Sequence, residues 1–407
     1  MHERRIPEWL RHAPAPSVRG FAMLAGFEAV ARGILISIFP LTMYRALQDV
    51  QVVSQIYFFI GAVSLISGLL VPVVTRRVPR RWVYIIGALM YVVGSLVTIT
   101  GTPTAVVVGL LLNTVSGVLT FVCFNTYVLD YISKIELGDC ETSRLFYSAL
   151  GWAVGPVLGV FLFKWWEPMP FLISTLAALG MLGMFLFMRL GNGKLIVHAK
   201  TTSPNALAYL PKFLRRRRLV AGWIFAVIRS SGWWVYVVYL PIFAVENGLS
   251  EELGGTVLSI TNATLFITPL MLRWIKKNSV KIAVRTGFLA TAVLFVLAYV
   301  VAGAPMFAVA ALMGGSFFLI LLDVSGGLPF LLAVKPSERT EMSAIYSSYR
   351  DVSGIITPGA AWLVLLLAPI SGVFVLSGAA LLGAWGLASQ LHPDLGRKRI
   401  RMQTKGI

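Results

Sequence analysis

Acidic residues are scarce in this sequence, and histidine and cysteine are scarcer still: 17 of 407 residues are Asp or Glu, four are His and two are Cys. The cysteines, Cys123 and Cys140, are too few for a disulfide scaffold or a zinc framework. Cys123 falls inside an apolar run and reads as a small filler. His2, His12, His198 and His392 all lie in the tails or in one polar connector, which excludes an imidazole relay within the apolar segments. There is no nucleophile–base pair, no metal-ligating cluster and no phosphate-cradling loop. Neither an enzyme, a metal nor a cofactor is expected. Charged residues of both signs reach only 13%, against roughly a quarter in soluble domains.

Apolar residues fill the gap. They make up 57% of the chain, with a mean hydropathy of +0.80 spread along its whole length. Runs of about 20 apolar residues are long enough to cross about 30 Å of hydrocarbon. They fall at 20–44, 51–74, 82–101, 104–130, 145–166, 168–190, 219–245, 253–274, 280–301, 304–333, 344–368 and 370–390. The first run follows the polar stretch Met1–Arg19 and has no small-residue cleavage site, so it reads as a retained helix and not a signal peptide. The expected fold class is an all-α integral membrane protein of twelve transmembrane helices. Its expected parts are a tail 1–19, a six-helix bundle 20–190, a basic linker 191–218, a second bundle 219–390 and a basic tail 391–407.

The net charge of +18 would suggest nucleic acid in a soluble protein. Here it is spread over many short loops. With the N-terminus inside, all but four of the 35 Lys and Arg fall on the cytoplasmic side, as the positive-inside rule requires. The exceptions are Arg45 and Lys164 in outer loops and Arg32 and Arg229 inside spans. Both termini are therefore expected in the cytoplasm of a bacterial inner membrane, and no nucleic-acid partner is expected.

An internal repeat divides the chain. Glu141-Thr-Ser143-Arg144-Leu-Phe-Tyr147-Ser148, leading to Pro156, matches Glu341-Met-Ser343-Ala-Ile-Tyr346-Ser-Ser348, leading to Pro358. Pro72-x-x-x-Arg76 is echoed by Pro269-x-x-x-Arg273. Both matches are offset by six spans, which points to a duplicated six-helix unit.

Twelve spans, a six-plus-six duplication, cytoplasmic termini and a basic central loop together resemble the Major Facilitator Superfamily over nearly the whole chain. The loop signature Gly-x-x-x-Asp-Arg-x-Gly-Arg-Arg corresponds to Pro72-Val-Val-Thr-Arg76-Arg77-Val-Pro79-Arg80-Arg81, with proline at both glycines and Arg76 at the acidic position. Gly151-Trp-Ala-Val-Gly155-Pro156-Val-Leu-Gly159 matches a Gly-x-x-x-Gly-Pro-x-x-Gly pattern associated with proton-coupled antiporters. It equally reads as a close-packing surface with a bend. The resemblance implies two pseudo-symmetric bundles, alternating access, a substrate bound near the midplane and a monomer.

Ionisable groups at membrane depth are functional candidates by default. Glu28 and Arg32 are four apart and share a helix face. Arg32 and Arg229 lie in duplicate spans 1 and 7, which line the cavity in the family, and two guanidiniums there would clamp an anion. Their registers differ, since Arg229 precedes Pro241 by 12 residues and Arg32 precedes Pro40 by 8. Asp323, mid-span, must pair with Arg229 or Arg32 or else be protonated. The expected substrate-binding residues are Arg32, Arg229, Tyr57, Asn125, Trp233 and Tyr236, and the proton-coupling carboxylates are Glu28 and Asp323. Asn113, Thr126, Asn262, Thr264 and Ser325 would add polarity. A cytoplasmic gate is expected from Arg76, Arg77, Arg80, Asp130, Glu141, Arg144, Arg273, Glu341, Arg350 and Asp351. The reading is a secondary transporter for a small organic anion, coupled to protons, with protons and membrane lipids as its other partners. The rivals are a proton-coupled efflux antiporter for amphipathic drugs and a lipid- or pigment-handling membrane protein.

Overall fold

The computed structural model describes residues 17–132, 136–188, 206–334, 342 and 345–392. Glu341 lies outside them, and the side chains of Arg76 and Glu141 are likewise not described. The described chain is helical throughout. Eleven helical stretches are long and apolar enough to cross a membrane: Val18–Leu47, Val50–Thr75, Arg80–Thr98, Pro103–Val128, Ser143–Trp165, Met169–Phe187, Arg217–Glu246, Glu252–Ile275, Val280–Val300, Pro305–Phe330 and Ser371–Ser389. The helix Tyr349–Leu365 stands between the last two and completes twelve, which are numbered here as spans 1 to 12 in chain order.

Helix starts follow local chemistry. Thr102 caps span 4 by accepting the Ala105 N–H at 3.4 Å, with Pro103 in the first turn where its missing N–H costs nothing. Asp49 caps span 2 by accepting from Gln51 N at 2.7 Å. Spans 1, 7, 8 and 10 are interrupted. In span 1 the helix Val18–Gly33 stops and resumes as Ile38–Leu47, with Pro40 in its first turn. In span 7 a π-helical turn, Val235–Tyr239, separates Arg217–Trp234 from Leu240–Glu246, which carries Pro241. In span 8 a 3₁₀ turn, Thr264–Ile267, precedes Pro269. Each break lies just upstream of its proline, because proline offers no N–H to the carbonyl four residues earlier.

By contact the chain forms two compact units, Met1–Thr202 with Pro241–Asn262, and Ser203–Leu240 with Ala263–Ile407. The chain passes between them next to the π turn and next to the 3₁₀ turn. In the first unit span 1 packs on spans 5 and 6, and span 3 on spans 4 and 6; in the second, span 7 packs on span 11, and span 9 on spans 10 and 12. Three of these pairings repeat six spans on, as a duplicated bundle should. The first core is aromatic, with Tyr84 stacked on Phe185 at 4.1 Å between ring centroids. In the second, Phe330 and Tyr346 stack at 4.0 Å.

Lipid offers helices no hydrophobic reason to associate, so small residues that permit backbone contact carry the packing. A Cβ added to Gly151 would come within 2.7 Å of the Ala29 carbonyl carbon, and one on Gly155 within 2.6 Å of that of Gly33. The glycine pattern of span 5 is the surface on which span 1 lies.

Candidate functional site

The first unit carries a charge pair at the break in span 1. Arg32 occupies the last turn before the break, where a cation suits the exposed carbonyls of a helix C-terminus. Its Nη1 donates to Glu28 Oε1 at 3.3 Å, across one helical turn. Its guanidinium also lies 5.6 Å from the centre of the Trp152 indole. The Arg32 side chain is 46% exposed and that of Glu28 only 17%. The accessible charge is therefore positive, with its carboxylate held behind it.

The second unit presents the opposite arrangement. Arg229 of span 7 places Nε 3.0 Å from Asp323 Oδ1 of span 10. This is a close charge pair without an aligned hydrogen bond, for Nε has no hydrogen-bond partner. Arg229 Nη1 donates instead to the Leu322 carbonyl at 3.4 Å, and the guanidinium lies 5.3 Å from the Tyr349 ring. Trp233, one turn along span 7, donates its indole N–H to the other oxygen, Asp323 Oδ2, at 3.0 Å. Here the arginine side chain is 9% exposed and the carboxylate 38%. Asp323 sits in the last turn of Pro305–Ser325, just before the break at Gly326-Gly327. An anion is poorly placed at that helix end, so Asp323 depends on Arg229 and Trp233.

The remaining expected residues fall in several settings. Tyr236, in the π turn, is 1% exposed and meets Trp233 edge-on at 6.0 Å. Tyr57 is buried in span 2. Asn125 accepts a hydrogen bond from Arg144 Nη2 at 3.3 Å, and Arg144 lies over Phe124 at 4.5 Å. Asn113, Thr126 and Ser325 bond to carbonyls of their own helices, while Asn262 donates to the Trp152 carbonyl. Among the gate residues, Arg80 Nη1 and Asp130 Oδ2 meet at 2.5 Å. Arg350 Nε donates to the Tyr349 hydroxyl at 3.1 Å. Arg77 and Arg273 are exposed, and Asp351 is half-buried.

One constellation lay outside the sequence expectations. Arg45 and Lys164, the two basic residues assigned to outer loops, are both paired. Arg45 Nε donates to Glu251 Oε1 at 2.8 Å, and its Nη1 reaches Glu167 at 3.1 Å, with the guanidinium 4.8 Å from Phe163. Lys164 pairs with Glu252. Below these pairs Ser259 Oγ accepts the Val157 N–H at 2.9 Å. The first part of span 8 is thus fixed to spans 1 and 5 within the first unit. The signal in the sequence was the acidic doublet Glu251-Glu252 at the start of a span. Trp152, Tyr346 and Tyr349 also went unremarked as neighbours of the in-span charges.

A family model described as Major Facilitator Superfamily matches residues 21–358. Among solved structures the chain is similar to a POT family transporter in complex with 5-aminolevulinic acid. The TM-score is 0.76 at 11% identity, covering 93% of this chain and 96% of that one. It is also similar to the nucleoside transporter NupG, with a TM-score of 0.66 at 14% identity, covering 92% and 99%. No curated protein matches it in sequence.

Proposed function

The chain belongs to the Major Facilitator Superfamily of transporters, and from that premise we propose that it is a secondary active transporter for a small organic anion, coupled to protons. The observation that carries this reading is the Arg229–Asp323–Trp233 set within spans. Ionisable groups at that depth are costly and are kept for function.

The pair supplies a coupling chemistry. While Asp323 is ionised, it neutralises Arg229 and covers it. A proton on Asp323 removes that counter-ion and leaves a shielded guanidinium in need of another anion. Proton and anion binding then favour each other, which is the linkage a symporter needs. Arg32, with its guanidinium already accessible, serves as the entry contact for the same class of solute. Trp233 and Tyr236 shape the site, and Glu28 holds Arg32 and is the second candidate for the proton.

Alternating access uses the breaks. The π turn 235–239 and the 3₁₀ turn 264–267 adjoin the points where the chain passes from one compact unit to the other. They are the hinges in this reading. The Arg45–Glu251, Arg45–Glu167 and Lys164–Glu252 pairs are the latch on the outer face, and Arg80–Asp130 braces the cytoplasmic face. In this reading both termini are cytoplasmic in a bacterial inner membrane, which the Lys and Arg distribution favours, and the working unit is the monomer. In this reading the two duplicated bundles are 20–190 and 219–390, and residues 241–262 of the second pack with the first.

The test is transport in reconstituted vesicles under an imposed pH gradient. Glu28→Gln with Asp323→Asn should abolish gradient-driven movement while leaving exchange of the solute. Gradient-driven transport at the parent rate in that variant would sink the coupling assignment.

A further inference from the structure

The second unit has an apolar groove between spans 8, 9 and 10 whose lining side chains the transport reading does not use. Its volume is about 360 Å³, and Leu270, Met271 and Trp274 of span 8, Thr286 of span 9, and Phe317 and Phe318 of span 10 line it. Leu270 and Trp274 are 57% and 38% exposed. Thr268–Asn278 is helical, so Leu270, Arg273, Trp274 and Lys277 stand at i, i+3, i+4 and i+7 on one stripe. Along that stripe the apolar groups come first and the charges last. Arg273 and Lys277 are both exposed. The acidic complement is absent from the sequence here: residues 253–322 contain no Asp or Glu, yet hold Arg273, Lys276, Lys277, Lys281 and Arg285.

We propose that this groove is a binding site for one anionic phospholipid, its acyl chain lying against Trp274 and Phe318 and its phosphate on Arg273 and Lys277. An apolar foot beside a basic head that has no acidic partner among the described residues suits the shape and charge of such a lipid, and basic recesses between spans select anionic headgroups. A zwitterionic lipid would satisfy the foot but would bring a cation to the same two side chains. The site does not depend on what the protein transports.

Trp274 is a reporter inside the groove. The protein is reconstituted in vesicles of phosphatidylcholine carrying a small, equal mole fraction of brominated phosphatidylglycerol or brominated phosphatidylcholine. Its fluorescence quenching is measured beside that of Trp274→Phe, so that the difference isolates Trp274. The expected result is a relative affinity at least about threefold higher for the phosphatidylglycerol, corresponding to about 0.7 kcal/mol. That preference should vanish in Arg273→Ala/Lys277→Ala and persist in Arg273→Lys/Lys277→Arg. Equal quenching by the two lipids, or a preference that survives the double alanine variant, overturns the proposal.

Discussion

Replacing Gly155 with alanine should destabilise the protein, although alanine is the better helix former. At an open helical position the exchange gains about 0.8–1 kcal/mol through backbone entropy. Gly183 is such a position, for a Cβ there meets nothing within 4 Å. At Gly155 the new methyl would sit 2.6 Å from the Gly33 carbonyl carbon and 2.9 Å from the Ile34 nitrogen. Backbone atoms cannot rotate aside as a side chain would, so spans 1 and 5 must separate. Forcing extra volume into a close contact costs roughly 1–3 kcal/mol, enough to outweigh the helical gain. Gly151→Ala, facing the Ala29 carbonyl at 2.7–2.9 Å, should behave alike. The assay is the thermal unfolding midpoint of purified protein in one detergent. Gly183→Ala should unfold at or above the parent temperature, and Gly151→Ala and Gly155→Ala below it. If all three moved together in either direction, the packing account of the span 5 glycines would be wrong.

Three further outcomes follow from the charges. Asp323→Asn strips a 9%-exposed guanidinium of its counter-ion. The unfolding midpoint should fall, by less than the ~3–5 kcal/mol of a fully buried pair because Asp323 is itself partly exposed, and Arg229→Met in the same chain should restore much of it. Glu251→Gln with Glu252→Gln should free the start of span 8, so that Ser259→Cys, buried in the parent, reacts with a maleimide several-fold faster; an unchanged rate would remove the latch. Trp233→Phe keeps the ring but loses the indole N–H that donates to Asp323 Oδ2, and should lower the unfolding midpoint by no more than the roughly 1.5–3 kcal/mol of a hydrogen bond to a charged group; an unchanged midpoint would remove that contact from the account.

The spans were legible because run length against bilayer thickness is a one-dimensional criterion, and most boundaries moved by only a few residues. The breaks were less so. Pro40, Pro241 and Pro269 are plain in the sequence, but a freed carbonyl can be absorbed by a turn, a π bulge or a 3₁₀ segment, and neighbours choose among these. The pairing of Glu28 with Arg32 follows from four-residue spacing. Asp323 had two arginines to choose from, and only the fold assigns it Arg229. Which member of each pair is accessible has no signature along the chain, because it depends on the helices packed behind it. The outer ion pairs were hidden for a related reason: Arg45 and Glu251 are 206 residues apart, and loop charges first read as topology.

The most direct test of the central reading is a thermal-shift screen of purified protein against organic anions and amphipathic cations, run on the parent and on Arg32→Ala/Arg229→Ala. Stabilisation by anions that disappears in the double variant is the predicted result. Stabilisation by cations alone, or by anions equally in both proteins, would contradict it.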